Sequence, residues 1–386
     1  RLASDLGIVN MDTGNILGLI FSENPEASLG ELTASRSPAA VPVGGRYRII
    51  DFILSDMVNS GIDKVGITTG MKNRSLTDHL GSGKDWDLAR KQNGLFIISP
   101  TENADGGNRR LNGVDYINNA MSYLKRSSQE YVMVCDCNTI CSINFEDVAK
   151  FHFEKGADVT MVYTEVGELA AEQLAHHIML GVDEDGGVTD IQLYPKRQKT
   201  NLSYMHMMLI RKELLIEITD DCLAHDKHSI SRDILLANLK KLRFFGYRFD
   251  GYRKKIDSIR SFFEFNLDML KPELRKSLFG DEEKSVYTKV KDSVPTRYGT
   301  GAAVSNSFIA DGCTIEGTVE NSVIFRGVKI GRGSKIKNAV IMQNSQIMDN
   351  CSVENAVFDK EVILRSGKKL MGQGTYPLVI GKRTIV

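Results

Sequence analysis

A six-residue repeat in the last third of the chain restricts its fold more than any other feature. From about residue 304, aliphatic residues recur six apart, as in Ile309 with Ile315, Ile330 with Ile336, and Ile347 with Val353. Glycine and asparagine residues fall between these positions. One aliphatic residue every six, separated by turn formers, is typical of a parallel β-helix with short flat faces. The alternative, an antiparallel sandwich, requires a two-residue alternation, which is weak here.

The first two thirds of the chain follow a different pattern, in which β-branched runs alternate with amphipathic stretches. This pattern predicts an open, mostly parallel α/β sheet. The predicted strands cover 5–10, 64–69, 131–135, 158–163, 187–193 and 204–210. The predicted helices cover 51–59, 146–155, 230–241 and 260–270. Since 271–295 is charged and interrupted by proline, the predicted division is a sheet domain over 1–268, a linker over 269–300 and a β-helix over 301–386.

Composition excludes several classes of function. The 49 basic residues balance the 49 acidic ones, so we expect no binding to nucleic acid or to an anionic membrane. The sequence has no apolar run of membrane-spanning length and no basic, apolar leader. Six cysteines are few for 386 residues, and they predict reduced thiols in a cytoplasmic protein. Cys135, Cys137 and Cys141 have a ligand-like spacing, but packed thiols at a strand end are the favoured interpretation.

No Lys or Arg occurs between Leu2 and Ser35. A loop that holds a triphosphate needs closely spaced glycines and a cation to offset the phosphate charge. The segment after the strand predicted over 5–10 offers instead two glycines four apart, apolar residues and acids. An α/β domain without this phosphate-binding loop is a candidate non-catalytic member of an enzyme family.

One run of residues makes a family resemblance specific. Residues 44–61 read Gly-Gly-Arg-Tyr-Arg-Ile-Ile-Asp-Phe-Ile-Leu-Ser-Asp-Met-Val-Asn-Ser-Gly, after Leu-Thr at 32–33 and Arg-Ser-Pro-Ala-Ala-Val-Pro at 36–42. This run resembles the ADP-glucose pyrophosphorylase (glucose-1-phosphate adenylyltransferase) family, and the resemblance covers nearly the whole chain. It implies a nucleotidyltransferase-like (Rossmann-like) domain followed by a left-handed β-helix, in tetramers serving glycogen synthesis.

The resemblance also implies two aspartates that hold Mg²⁺ in active members. Asp136 matches the first of them, whereas Lys255 stands at the position of the second. An ammonium at a metal-ligand position repels Mg²⁺ and could pair with Asp136 instead. Asp257 could restore a metal site by a shift of register. We expect no metal bound to this chain, no catalytic residue, and in Asp136 a vestige of the family's site.

Cationic side chains that bind phosphate in the family are lost at three further positions that the resemblance implies. The family's glycine-rich loop is absent together with both of its arginines, and a family lysine aligns with Pro38. The lysine that grips the sugar phosphate aligns with Tyr194, although Lys196 and Arg197 are near enough in sequence to substitute. We expect the apolar residues within 11–31 to form a long loop that fills the space of ATP or contacts a partner subunit; these residues are Ile16, Leu17, Leu19, Ile20 and Phe21.

Arg36, Arg46 and Arg48 survive in the family-like run. In the family this region contributes to the binding of phosphorylated effectors near the junction with the β-helix. Three guanidiniums around a Gly-Gly turn could take a phosphate or AMP bidentately. A structural role, with pairing to acids such as Asp51, is the equally weighted alternative.

The resemblance therefore implies a regulatory, non-catalytic subunit, most like the family's non-catalytic subunit type. We expect its partner to be a catalytic homologue that carries the Mg²⁺, in a heterotetramer or, alternatively, a homo-oligomer. The competing hypothesis is an active adenylyltransferase with a remodelled nucleotide and metal site. A β-helix acyltransferase is disfavoured, because such enzymes need a histidine base in the β-helix and no histidine follows His228.

Overall fold

The structure, a computed structural model, describes residues 13–23, 28–100, 113–280 and 285–386. Its amino-terminal part is built on a nine-stranded sheet flanked by helices. The strands of this part are β1 (Ile16–Phe21), β2 (Pro42–Val43), β3 (Tyr47–Arg48), β4 (Lys64–Thr68), β5 (Gly94–Ile98), β6 (Tyr131–Asp136), β7 (Thr139–Cys141), β8 (Val159–Glu165), β9 (Ile178–Val182), β10 (Val188–Leu193), β11 (Leu202–Arg211), β12 (Phe244–Arg248) and β13 (Arg253–Lys255). The α-helices are α1 (Ile49–Asn59), α2 (Arg74–Leu80), α3 (Gly113–Asn119), α4 (Met121–Arg126), α5 (Phe145–Lys155), α6 (Ala171–Leu174), α7 (Lys212–Ala224), α8 (Ile259–Asp268) and α9 (Pro272–Phe279).

Strand β1 lies in the middle of the sheet, paired in parallel with β4 on one side and β6 on the other. All six of its residues are buried, with Ile16 and Ile20 on one face and Leu17, Leu19 and Phe21 on the other. A strand covered on both faces is a continuous apolar run without alternation, so the sequence pattern could not separate it from an apolar loop.

The prediction of a loop over the apolar part of 11–31 is therefore wrong. Ile16, Leu17, Leu19 and Ile20 belong to the buried core of the sheet and are not available to fill a nucleotide site, whereas Phe21 lies at the carboxyl end of the strand. The segment that follows β1 is residues 22–33, and it still contains no Lys or Arg. The strand predicted over 5–10 lies outside the described residues.

Helix α1 packs closely against this central strand. A Cβ on Gly18 would lie 2.4 Å from Sδ of Met57, so a larger residue there would force the Met57 side chain to move. The helix begins after Arg48, whose backbone N–H donates to the Asp51 carboxylate at 2.9 Å. Such a carboxylate in the first turn satisfies a backbone donor that the helix leaves unpaired.

The sheet combines parallel and antiparallel pairs. β1, β4, β5 and β6 form parallel pairs, as do β8 and β12, whereas β11 runs antiparallel to β6, β8 and β9. Helices cover both faces, which confirms the predicted α/β class. The helix predicted over 230–241 is instead a π-helical turn, Ile230–Leu235, followed by a 3₁₀ turn, Leu236–Asn238. No helix in the described ranges has both the length and the apolarity needed to span a bilayer.

The carboxyl-terminal part is a parallel β-helix, which confirms the predicted repeat architecture. Its strands are β14 (Arg297–Tyr298), β15 (Ala303–Ser305), β16 (Phe308–Ile309), β17 (Thr314–Ile315), β18 (Thr318–Glu320), β19 (Val323–Ile324), β20 (Lys329–Ile330), β21 (Lys335–Ile341), β22 (Gln346–Ile347), β23 (Ser352–Phe358), β24 (Ile363–Leu364), β25 (Lys369–Met371) and β26 (Leu378–Ile380). Successive coils stack in register, so Val319 lies beside Ile336, which lies beside Val353. These aliphatic side chains fill the interior.

Asparagines at the corners of the coils form a ladder. Asn321 donates to Asn338 and Asn338 to Asn355, with separations of 2.5 and 3.3 Å. Each of these residues has a positive φ, a conformation that asparagine tolerates better than most residues. The turn formers that marked the repeat in the sequence therefore serve as the corners.

The two parts share a hydrophobic core. Phe52 and Phe262 of the first part belong to the same buried cluster as Val323 and Phe325 of the β-helix. Helix α9 and the extended segment after it fall within the predicted linker, and the backbone N–H of Tyr287 in that segment donates to Ser55 Oγ of α1 at 2.9 Å. The domain boundaries at 268 and 300 stay predictions.

Candidate functional site

A cavity of about 540 Å³ opens at the carboxyl ends of β1 and β6. Ligands of open α/β sheets bind at this edge, and the volume is that of a small-molecule site. We call it the sheet-edge cavity. Its described lining residues are Phe21, Glu23, Gly113, Tyr116, Val134, Asp136, Tyr194, Tyr204, His206, Met208, Asp226, Lys227, His228, Ser229, Ile230, Ser231, Arg232 and Asp233.

Asp136, at the end of β6, faces a histidine in this cavity. Its Oδ2 lies 3.5 Å from Nδ1 of His206, a residue of β11. Burial lowers the pKa of His206 well below its usual range, and the positive charges of Lys255 and Arg253 lower it further. The imidazole is therefore neutral at pH 7.

Lys255 is held beside this pair by the backbone. It ends β13, opposite Thr139 of β7, and its Nζ donates to the His176 carbonyl oxygen at 2.8 Å. Burial, together with Lys255, lowers the pKa of His177 to about 4. The structure thus brings Asp136 and Lys255 around His206, as expected if they occupy one site.

The residues of this site do not fit Mg²⁺. Mg²⁺ is held by carboxylates and phosphate oxygens, whereas here Asp136 faces His206, and the ammonium of Lys255 near that histidine stands where the resemblance implies the second carboxylate. Asp257 accepts from Ser261 Oγ at the start of α8, at 3.2 Å. Within the described ranges, no group of three or more His, Cys, Asp or Glu side chains could hold a metal ion.

The positions where the family carries phosphate-binding lysines have other roles here. Pro38 is buried and begins a 3₁₀ turn, Pro38–Ala40. Tyr194 lines the cavity with a positive φ of 50°. Lys196 and Arg197, the possible substitutes, are exposed and are absent from the described lining. None of these residues supplies a cation to the sheet-edge cavity.

The cysteines near this site are packed thiols. Cys135, Cys137 and Cys141 are buried and unpaired with one another. Burial raises the pKa of each thiol well above its usual range. Neutral, buried thiols are poor metal ligands, which favours the interpretation as packed thiols.

The arginines predicted to bind an effector lie at the junction of the two parts. Arg36 is buried and forms a short ion pair with Asp359 of the β-helix. Arg48 donates to the carbonyl and hydroxyl oxygens of Ser75 at 2.7 and 2.9 Å. Arg46 lies over the Tyr47 ring, 5.6 Å from its centroid. The structure therefore brings the three together, with Arg36 already neutralised by a carboxylate.

Sequence reasoning missed three further cations at this junction. Burial lowers the pKa of Lys360 to about 7, with Arg48 and Arg36 contributing repulsion. The pKa of Lys291 is lowered by burial and by Arg48, and that of Arg326 by burial and by Arg46. Their positions in the linker segment and in two different coils gave no local signal. We call the six residues the junction cluster: Arg36, Arg46, Arg48, Lys291, Arg326 and Lys360.

Two buried donors in the junction cluster lack hydrogen-bond partners within the described residues. They are Nη1 of Arg36 and Nε of Arg326. The Arg326 nitrogen lies 4.0 Å from Asp311 Oδ2, which is too far for a hydrogen bond. Buried charged donors are normally satisfied, so these two nitrogens are exceptions.

Comparison with known proteins agrees with this geometry. A nucleotidyl transferase family model matches residues 28–216, and a GlmU-like, C-terminal hexapeptide model matches residues 291–373. The glycogen biosynthesis protein GlgD of Bacillus subtilis is 34% identical over 96% of this chain and 97% of its own length. The GlgD of Geobacillus stearothermophilus is 36% identical over 83% of this chain and 82% of its own length.

A relative that is named as an enzyme is nearly as similar to this chain as the two GlgD proteins are. The glucose-1-phosphate adenylyltransferase of Clostridium botulinum is 33% identical over 86% of this chain and 85% of its own length. The resemblance found in the sequence is thereby confirmed. With its α/β sheet, its β-helix and these relatives, the chain belongs to the glucose-1-phosphate adenylyltransferase and GlgD family of glycogen-biosynthesis nucleotidyltransferases.

Proposed function

We propose that this chain is a regulatory subunit without adenylyltransferase activity of its own, which modulates an active homologous subunit in bacterial glycogen biosynthesis. The observation that carries the proposal is Lys255, an ammonium that lies beside the Asp136–His206 pair where the family resemblance implies a second metal carboxylate. The Mg²⁺ of the reaction then belongs to the partner subunit.

The chemistry of the reaction supports this proposal. Transfer of a nucleotidyl group develops charge on phosphoryl oxygens, and cations or metal ions must offset it. The segment after β1 has no Lys or Arg, and the position of the sugar-phosphate lysine is Tyr194. Losses at several points of one site act together, so no single side chain would compensate for them.

The junction cluster supports a regulatory role. We propose that a phosphorylated effector binds there, with Arg46 and Arg48 contributing guanidinium groups and Arg36 holding the site to the β-helix. Arg36 follows the chain segment that leaves β1 at the sheet-edge cavity, so the cluster is connected by short stretches of backbone to the vestigial site. In a heterotetramer, such a connection can pass effector binding to a neighbouring catalytic subunit.

An activity assay tests the proposal. We expect the purified chain alone to form no ADP-glucose above background from ATP, glucose 1-phosphate and Mg²⁺. Addition of the chain to a catalytic homologue is expected to change that enzyme's kcat, KM or response to phosphorylated effectors. An Arg46→Ala and Arg48→Ala double variant should weaken the effector response while the two subunits still assemble, as judged by size-exclusion chromatography.

The competing proposal is an active enzyme with a remodelled site. The retention of Asp136 at the end of β6, inside the cavity, favours it. Robust turnover by the isolated chain, abolished by Asp136→Asn, would establish this alternative and overturn the regulatory proposal.

A further inference from the structure

A second cavity lies at the edge of the nine-stranded sheet opposite the sheet-edge cavity. It opens where β6 begins at Tyr131 and β11 ends at Arg211, two residues that are paired in the antiparallel register of these strands. The end of α5 and the first turns of α7 form its sides. Its volume of about 460 Å³ is that of a small-molecule site. We call it the opposite-edge cavity, and the proposed regulatory function makes no use of it.

Three aromatic rings line this cavity together. Tyr131 packs edge to face against Phe153 and His152, with ring centroids 4.9 and 5.6 Å apart, and the rings of His152 and Phe153 are 5.5 Å apart. Nδ1 of His152 lies 2.8 Å from Thr160 Oγ1, which fixes the imidazole. Burial lowers the pKa of His152 to about 4, so this ring is neutral at pH 7. The ring cluster therefore adds no positive charge, and the faces of tyrosine and phenylalanine rings attract cations.

The charged side chains of the lining leave one carboxylate uncompensated. Arg243 donates to Asp158 at 2.9 Å through Nη2 and at 3.2 Å through Nε. Arg211 donates to Glu213 at 3.1 Å. Glu217 also lines the cavity, and no side chain within the described ranges forms an ion pair or a hydrogen bond with its carboxylate. The described lining thus carries three carboxylates against two guanidiniums, which favours a cation and disfavours phosphate.

The helix ends at this cavity do not oppose a cation. Gly156, the C-cap of α5, lines the cavity, and the carboxyl-terminal end of a helix carries a partial negative charge. Lys155, in the last turn of α5, lies over the rings of Phe151 and Phe245 and is absent from the described lining. Glu213, in the first turn of α7, offsets the positive end of that helix.

The polar groups of the lining indicate which kind of cation fits. A primary ammonium or a guanidinium carries several N–H donors, and each of them needs an acceptor when it is buried. Among the charged groups of the described lining, only the Glu217 carboxylate is unpaired. A quaternary ammonium has no N–H donor, and its methyl groups pack against aromatic faces. Leu214 and Leu242 complete the apolar part of the lining.

We propose that the opposite-edge cavity binds a quaternary ammonium cation, with its methyl groups against the rings of Tyr131 and Phe153 and with the Glu217 carboxylate balancing its charge. The cavity is separate from the sheet-edge cavity and from the junction cluster. Its occupancy does not depend on whether the chain regulates a partner.

Ligand-observed NMR on the whole chain, without nucleotide or a partner subunit, tests the proposal. The probes are choline and 3,3-dimethyl-1-butanol, a neutral molecule of the same shape in which carbon replaces the nitrogen. We expect saturable binding of choline and at least about tenfold weaker binding of the neutral alcohol, because the alcohol lacks the attraction to the rings and to the carboxylate. Absence of saturable choline binding, or equal or tighter binding of the alcohol, would overturn the proposal and leave the regulatory function untouched.

Two substitutions locate the bound cation. Glu217→Gln removes one charge at an exposed position of α7, so we expect at least about fivefold weaker choline binding with an unchanged unfolding midpoint. Asp220→Asn, an exposed position of the same helix outside the described lining, is the matched control and should leave choline binding unchanged. Phe153→Leu keeps an apolar side chain but removes the ring, so it should weaken the binding of choline more than that of the neutral alcohol. Choline binding that is undiminished in Glu217→Gln, or reduced equally in Asp220→Asn, contradicts the assignment.

Discussion

The sheet-edge cavity and the junction cluster are opposite in charge, although a phosphate-handling enzyme would need cations in the first. The described lining of the cavity has four carboxylates and two cations. The junction cluster has six cations, with Asp359 buried among them. The comparison indicates that the chain has kept the family's scaffold while its converging cations lie at the junction and not at the sheet edge.

The two sites also differ in how their buried charges are compensated. At the cavity, a neutral His206 faces the carboxylate of Asp136, and Lys255 lies near that histidine. At the junction, mutual repulsion and burial lower the pKa of Lys360 to about 7. A ligand anion would relieve the junction, whereas the cavity gains nothing from one.

The largest effect should come from breaking the buried pair at the junction. Asp359→Ala leaves the Arg36 guanidinium buried without its carboxylate, and we expect a loss of about 3–5 kcal/mol in the free energy of unfolding. Urea denaturation of the whole chain measures it. Arg383→Ala, which breaks an exposed pair with Glu361 on the same coil, is the control and should cost at most about 1 kcal/mol. Equal losses in the free energy of unfolding for the two variants would show that the Arg36–Asp359 pair contributes no more than an exposed ion pair.

A second prediction concerns pH. The pKa of Lys360 is about 7 in the folded chain and normal when unfolded, so the unfolded state binds more protons between these values. The free energy of unfolding therefore decreases as the pH falls from about 10.5 toward 7, because only the unfolded state takes up the proton on Lys360 in this range. Lys360→Met should raise the free energy of unfolding by on the order of 2 kcal/mol at pH 6.5. The difference should vanish near pH 10.5.

Lys276→Met, at an exposed position of α9, is the control for that measurement and should show no such pH dependence. A difference between wild type and Lys360→Met that stays constant with pH would mean that Lys360 is not the titrating group.

Inorganic phosphate should distinguish the two sites directly. At about 10 mM phosphate we expect the free energy of unfolding to rise by about 1 kcal/mol through binding at the junction cluster. Lys291→Met should remove most of this gain, because it deletes one of the converging cations. Tyr194→Phe, in the sheet-edge cavity, should retain it. Loss of the phosphate effect in Tyr194→Phe would place the anion at the sheet edge.

The smallest expected effect belongs to Lys255→Asp. Restoring one carboxylate does not restore the glycine-rich loop or the lysines at positions 38 and 194, so ADP-glucose formation should stay at background. The double change Lys255→Asp with Tyr194→Lys is a stronger version of the same test. Substantial turnover by Lys255→Asp alone would show that the other losses are compensated.

Periodicity and local sequence motifs predicted most of the fold. The hexapeptide spacing of Ile330 and Ile336 predicted the β-helix, because each aliphatic position points inward once per flat face. The strand Ile16–Phe21 was missed because burial on both faces removes the alternation on which strand prediction relies. Turn chemistry alone likewise did not reveal the π-helical turn at Ile230–Leu235.

The sites were predicted where a motif marked them and missed where distant segments converge. Asp136 and Lys255 were found because each lies in a segment with a family counterpart. Lys291, Arg326 and Lys360 come from separate stretches, and only folding brings them to Arg48. His206 lies where the pairing of β11 with β8 shifts register between Tyr204 and Met208, and no short motif encodes that shift.

The asparagine ladder has a consequence for how such a chain can change its length. Asn321, Asn338 and Asn355 are 17 residues apart, and the next position of the ladder is the carbonyl of Gly372, again 17 residues on. Other coils differ in length, since Asn306 donates to Asn321 only 15 residues on and Ala356 pairs with Leu378, 22 residues on. Residues are therefore gained or lost at the turns between faces, whereas a one-residue insertion inside a flat face would turn its interior side chains outward. The β-helix can thus combine coils of unequal length on one continuous interior.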